Sequence, residues 1–256
     1  MTALTLADRT AVITGGGSGI GAAITRAFAA AGAHVVVAGR RAEGLAAIAA
    51  ETGAQAVVCD VTDLADVERL FATAGARTGR VDILINNAGQ TGPIAPLADV
   101  DLAAWRECVE VNLFGALYCM RVAAQAMVAT GGGAIINMSS LMGLKGQPMR
   151  SAYCATKFAL IGLTEALARE VGPAGVRVNA LCPGAVSGEL MDLVIARRAV
   201  AEGRDADVII RESYTDIASL RRWVSPEEVA AAALFLASDA GAAITGDRIK
   251  VDAGRF

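Results

Sequence analysis

The chain has 256 residues, 54% hydrophobic but only 4% aromatic, with 23 Lys and Arg against 26 Asp and Glu for a net charge of −3. That length supports one large α/β domain with an aliphatic core, and the hydrophobicity and low net charge exclude disorder. The absence of a dense Lys/Arg run excludes the electrostatic footprint of a nucleic-acid binder, while a lone His34 and five scattered cysteines (Cys59, Cys108, Cys119, Cys154, Cys182) exclude a zinc site or a histidine triad.

Short β-branched runs alternate with Ala-rich stretches along the chain. The pattern predicts a strand over Thr10–Thr14, a helix over Ile20–Ala31, a strand over His34–Ala38 and a helix over Glu43–Glu51. Strand Gln55–Cys59, helix Asp63–Arg77 with its Asp cap, and strand Val81–Asn86 follow. Long helices at Leu102–Ala129 and Ala152–Val171 flank a strand at Ala134–Met138, and strands at Val176–Leu181 and Asp247–Val251 complete the series. Continuously apolar strands separated by helices indicate a doubly wound parallel sheet of about seven strands with helices on both faces, a single α/β domain over residues 1–256. Two segments break the rhythm. Ser140–Met149 is a loop leaving the fifth strand, and the charged stretch from Gly184 to Trp223 is too long for a simple connection, so a helical lid is expected over about 185–223.

The first strand runs into Thr14-Gly15-Gly16-Gly17-Ser18-Gly19-Ile20-Gly21 at the start of a helix. Bare backbone there allows a sharp turn and lets a pyrophosphate approach helix N-terminal N–H groups, although a purely structural turn would read the same in isolation. At the end of the second strand, Val37-Ala38-Gly39-Arg40-Arg41 lacks the acid that would bind both ribose hydroxyls of NAD. Arg40 can instead pair with a 2′-phosphate, which favours NADP(H) over the alternative, NAD(H).

Tyr153 and Lys157 stand one helical turn apart, so an ammonium can favour a phenolate and bring Tyr153 into acid/base range. That pair alone is weak, but Ser139 and Ser140 end the fifth strand, Asn112 interrupts a long helix, and Asn86-Asn87-Ala88-Gly89 closes the fourth strand at the same sheet edge.

With these motifs the chain resembles the short-chain dehydrogenase/reductase family from about Asp8 to Gly254. The resemblance implies a Rossmann fold and hydride transfer between a nicotinamide and a secondary alcohol or ketone, without a metal. It implies cofactor contacts at Gly15, Gly17, Ser18, Gly19, Ile20 and Gly21, at Asp60 and Val61 beside the adenine, and at Asn87, Ala88 and Gly89. It adds Pro183, Gly184 and the backbone of Val186. Tyr153 is then the general acid/base, and Lys157 lowers its pKa and holds the nicotinamide ribose. Ser140, thirteen residues before Tyr153, holds the substrate oxygen, and Asn112 anchors a water in the proton relay. One departure is Gly188, where many relatives carry a Thr that bonds the carboxamide.

Candidate substrate contacts are Gln90, Met142, Gln147, Met149, Glu189 and Leu190, alongside Ser140 and Tyr153. Relatives that reduce 3-oxoacyl groups on a carrier protein use basic residues where this chain has Gly131 and Ala174, although Arg121 or Arg177 could substitute. A free polyol, sugar or hydroxy acid is therefore favoured over a 3-oxoacyl thioester, and a non-catalytic nucleotide sensor is the reading from another class. The apolar circumference of the two long helices implies a homotetramer, or a dimer. Neither nucleic acid nor membrane is expected as a partner. Met1–Arg9 shows no signal segment, no apolar run reaches the roughly 18–20 residues of a bilayer span, and a cytoplasmic location is expected.

Overall fold

Thr10–Thr14 is buried at every position, as a strand covered on both faces requires. In the computed structural model, which describes residues 4–255 with the side chains of Leu190 and Ala201 excepted, this strand (β1) lies inside a seven-stranded sheet. The other strands are β2 (His34–Gly39), β3 (Gln55–Val58), β4 (Ile83–Asn86), β5 (Gly133–Met138), β6 (Val176–Pro183) and β7 (Arg248–Val251). Their order is β3-β2-β1-β4-β5-β6-β7 and every pairing is parallel, so the doubly wound α/β expectation holds.

Side-chain alternation along each strand divides the core in two. Ile13, Val35, Val37, Ile83, Ile85 and Ile136 face helix α1 (Gly19–Ala30), through Ile24 and Phe28, and helix α9 (Pro226–Ala237), through Val229, Ala233 and Leu236. Val12, Val36, Leu84, Ile135 and Val178 face the other way, onto helices α3 (Leu64–Gly75), α5 (Gly115–Thr130) and α6 (Ser151–Val171). Helix α2 (Ala42–Thr52) adds Leu45 and Ile48 to the first layer. A capping box between Ser225 and Glu228, with Pro226 opening the helix, fixes the start of α9. All five cysteines are free and buried, and burial pushes the thiols of Cys59 and Cys119 up to about 11 and about 12.

Two sequence expectations need correction. The long helix predicted over Leu102–Ala129 is not continuous α-helix. It comprises α4 (Leu102–Val109), a π-helical turn at Glu110–Phe114 and α5, and the wide turn falls at Asn112. The whole stretch Leu102–Thr130 is also long and apolar enough, by length and composition, to cross a membrane, against the expectation that no run qualifies. Its apolarity has an internal use: Cys119, Met120, Ala123 and Met127 pack into the sheet-facing core.

The segment after Gly184 contains helices α7 (Glu189–Glu202) and α8 (Ala206–Ile210), followed by a second π-helical turn at Arg211–Thr215. It has its own small core of Ala185, Ile195, Ile209 and Tyr214, with Trp223 stacked on Tyr214 at 5.4 Å between ring centres.

Candidate active site

Sheet order reverses direction at β1, whose neighbours are β2 and β4, and such a switch point opens a crevice at the carboxyl ends of the strands. The glycine turn lies there and is fastened to the end of β4. The Thr14 hydroxyl accepts the N–H groups of Asn87 and Ala88, both at 3.1 Å, and the Asn87 amide donates to the carbonyls of Thr14 and Gly15 at 3.1 Å. The Asn87 side chain therefore shapes the turn. A Cβ on Gly21 would stand 2.0 Å from the Gly15 carbonyl, so the turn closes only around glycine.

Helix α1 starts at Gly19 with φ +51, Ser18 makes no side-chain cap, and its first turn carries no acid. A Cβ on Gly19 would meet open space. Uncapped N–H groups, the positive end of a twelve-residue helix and a bare approach together suit a pyrophosphate, so the turn fits a dinucleotide. Asp60 uses one carboxylate oxygen to accept the N–H and hydroxyl of Thr62, and Val61 is buried beside it. Arg40 is exposed at the end of β2. The guanidinium that reaches the turn is that of Arg41, which donates to the Ser18 hydroxyl at 3.0 Å. Sequence reasoning passed over Arg41, although the doubled arginine was its signal.

At the far side, Gly184 lies so close to Asp252 that a Cβ would stand 2.9 Å from its Cα. Val186 bridges Val224 through the N–H of Ser187 and the carbonyl of Ala185, both at 3.0 Å, which leaves the N–H and carbonyl of Val186 itself outside that pairing. Gly188 has φ +132, a conformation glycine adopts readily and threonine does not, so the departure from the family pattern has a backbone cause.

Helix α6 presents Tyr153 and Lys157 together, the ammonium 5.4 Å from the ring centre. Lys157 donates to the Met138 carbonyl at 2.7 Å, and its own carbonyl accepts from the Ser139 hydroxyl at 2.8 Å. Ser139 thus ties β5 to α6, and Ser140 accepts from the Met142 N–H at 3.1 Å, its hydroxyl near enough to the Tyr153 phenol to favour the phenolate. Asn112 lies buried in the π-helical turn against Gln90. Asn112, Ser140, Tyr153 and Lys157 are therefore brought to one sheet edge.

Burial pushes the Tyr153 phenol above its ordinary value, opposed by the positive charge of Arg150 and by the nearby Ser140 hydroxyl. Burial likewise pulls the Lys157 ammonium down to about 8. The expected lowering of Tyr153 by Lys157 is not what dominates here. The cation opposing burial is Arg150, a residue the sequence reading did not single out despite its place one turn before Tyr153.

The Ser140–Met149 loop and the segment Gln90–Ala95 meet through Ala95 N–H to the Met149 carbonyl and Arg150 to the Thr91 carbonyl, each 3.1 Å. Met142 is half-buried, whereas Gln147 and Glu189 stand exposed, and no hydrogen bond among the described residues joins them to Tyr153. The side chain of Leu190 lies outside the described residues.

A parallel sheet with a dinucleotide turn at its switch point and a Ser-Tyr-Lys cluster on the same edge defines a Rossmann-type oxidoreductase. The family described as Enoyl-(Acyl carrier protein) reductase matches residues 15–255. Cis-4-hydroxycyclohexanecarboxylate dehydrogenase of Sinomonas cyclohexanicum is 41% identical, covering 97% of this chain and 96% of its own. D-threitol dehydrogenase of Mycolicibacterium smegmatis is 37% identical, with 97% and 93% covered. An actinorhodin polyketide ketoreductase solved with NADPH superposes with a TM-score of 0.92 at 32% identity, covering 96% of this chain and 97% of its own. The chain belongs to the short-chain dehydrogenase/reductase family, oxidoreductases acting on CH–OH groups.

Proposed function

We propose that this protein is a nicotinamide-dependent dehydrogenase of a small secondary alcohol, of the polyol, sugar or hydroxy-acid type. The observation that carries this reading is the Lys157 ammonium 5.4 Å from the Tyr153 ring centre, held by the Met138 carbonyl at the sheet edge where Ser140 also lies. Gly15 to Gly21, Asp60, Val61, Lys157 and Val186 would hold the dinucleotide, which supplies the hydride acceptor or donor at its nicotinamide. Ser140 holds the substrate oxygen. In oxidation Tyr153 takes the hydroxyl proton as the carbinol hydride leaves, and in reduction it returns that proton to the ketone oxygen. Asn112 keeps the 90s segment in place and is the residue to which we assign the relay water.

Arg40 and Arg41, with no acid at the end of β2, favour NADP(H), with NAD(H) the alternative. Five free buried thiols favour a reducing, cytoplasmic setting. Exposed Phe114, Val128 and Phe158 on the long helices favour a homotetramer or dimer. The 3-oxoacyl-thioester reading is weaker, because the Arg177 guanidinium donates to the carbonyls of Leu236 and Gly241 and is not free to meet an acidic carrier.

The test is reduced-cofactor formation by the purified protein with NAD or NADP and a panel of threitol, galactitol, cis-4-hydroxycyclohexanecarboxylate and 3-hydroxybutyrate, and consumption with a 3-oxoacyl thioester. Oxidation of any of the alcohols supports the proposal. Turnover of the thioester alone would replace it, and cofactor binding without any turnover would favour a nucleotide sensor.

A further inference from the structure

Arg150 is 6% exposed, and its guanidinium lies 5.1 Å from the centre of the Tyr153 ring, in the same pocket as the phenol. One Nη donates to the Thr91 carbonyl at 3.1 Å, whereas its Nε is buried with no hydrogen-bond partner. Among the described residues no carboxylate forms a salt bridge with it. An arginine cannot shed its proton to escape burial, so the positive charge is present at every working pH. Burying a charge without a counter-ion is among the costliest arrangements a fold tolerates.

The approach to this residue is also strained. Met149, immediately before it, has φ +64, a region that a non-glycine residue enters only when its surroundings hold it there. The Met149 carbonyl is held by the Ala95 N–H, and Arg150 then opens α6 three residues before Tyr153. Backbone strain and a buried unpaired cation coincide beside the acid/base residue, and both are accounted for if an anion arrives with the substrate.

We propose that Arg150 is the substrate-carboxylate anchor, making the preferred substrate a secondary alcohol that carries a carboxylate a short spacer from its carbinol. This rests on the dehydrogenase reading above and narrows it from polyols, sugars and hydroxy acids to the last. The carboxylate would pair with the guanidinium and neutralise the charge. With its hydroxyl on Ser140 and Tyr153, the substrate would be held at two points, which fixes which hydrogen of the carbinol faces the cofactor. A rival role is that Arg150 only stabilises the Tyr153 phenolate, in which case its effect would be the same for charged and neutral substrates.

The experiment compares cis-4-hydroxycyclohexanecarboxylate and 3-hydroxybutyrate with their primary amides, in wild type and Arg150→Met, by kcat/KM and by calorimetric titration of the cofactor-loaded protein. The amide keeps the shape and removes the charge, so any general damage from the substitution cancels in the acid-to-amide ratio. The expected result is a wild-type preference for at least one acid by about tenfold or more, collapsing towards unity in Arg150→Met. An equal or inverted ratio in the wild type, or a ratio unmoved by the substitution, would overturn the inference. So would an enzyme that oxidises threitol or galactitol but neither binds nor turns over the acids, and that outcome leaves the dehydrogenase reading intact. If the loaded protein turns over nothing in the panel, the dehydrogenase reading fails, while the calorimetric ratio still decides whether Arg150 receives a carboxylate.

Discussion

Asn112 and Gln90 exchange two hydrogen bonds: the Gln90 N–H donates to Asn112 Oδ1 at 2.7 Å, and Asn112 Nδ2 donates to the Gln90 carbonyl at 2.9 Å. A side chain thereby imitates a strand pairing and fixes the segment that faces the Ser140–Met149 loop. Asn112→Ala should leave the Gln90 groups unpaired at a cost of about 1–3 kcal/mol. A lowered melting temperature together with faster amide exchange at Gln90 would confirm it. An unchanged exchange rate would show that the 90s segment is held by other means.

Tyr153→Phe removes the phenol near Ser140 while leaving the glycine turn and Lys157 in place. Turnover should fall by about 10²–10⁴-fold, with dinucleotide affinity in equilibrium fluorescence titration essentially that of the wild type. Retained turnover would remove Tyr153 from the chemistry.

Lys157 has a folded-state pKa of about 8 against an ordinary 10.5, so the unfolded chain binds this proton more tightly than the native one. Its contribution is a penalty, in full below pH 8 and relieved as pH rises from 8 towards 10.5, on the order of 3 kcal/mol at neutral pH. Lys157→Met should therefore be inactive yet melt no lower than the wild type at pH 7, despite losing the bond to the Met138 carbonyl. Between pH 8 and 10 the wild type should gain stability relative to the variant. A constant difference across that range would show that the site does not strain the ammonium.

Arg41 and Arg40 can be separated by substitution. If the end of β2 reads a 2′-phosphate, Arg40→Ala and Arg41→Ala should each weaken NADPH binding by about tenfold while leaving NADH unaffected. Arg41→Ala should also free the Ser18 hydroxyl at the mouth of the turn. Equal losses for both cofactors would assign these arginines to shaping the turn instead.

Most of the fold was legible because buried parallel strands read as unbroken apolar runs. Strand β1, for example, was predicted at its observed bounds, Thr10–Thr14. Tyr153 and Lys157 could be paired from their spacing of one helical turn, whereas only the family resemblance singled out Ser140 from Ser139 beside it. The π-helical turn at Asn112 was not legible, since a single extra residue in a helical turn leaves the apolar period nearly unchanged. Arg150 and Arg41 escaped for a different reason. A cation in a loop reads as solvated until the fold gives it a partner: Arg41 stays exposed but reaches Ser18, and the burial of Arg150 depends on the 90s segment, some sixty residues earlier in the chain.

The central place of β1 also bears on how this chain is made. One edge of Thr10–Thr14 is filled by β2, beginning at His34, but the other waits for Ile83–Ile85 in β4. At ribosomal speed, about 70 residues of delay is roughly 4–14 s. Throughout that interval a strand with an apolar centre, Ala11–Ile13, has at least one row of backbone N–H and C=O groups unpaired, the arrangement most prone to capture by another chain. Yield during synthesis should therefore respond more to the rate of translation between β3 and β4 than to substitutions in the catalytic half, which has not yet emerged.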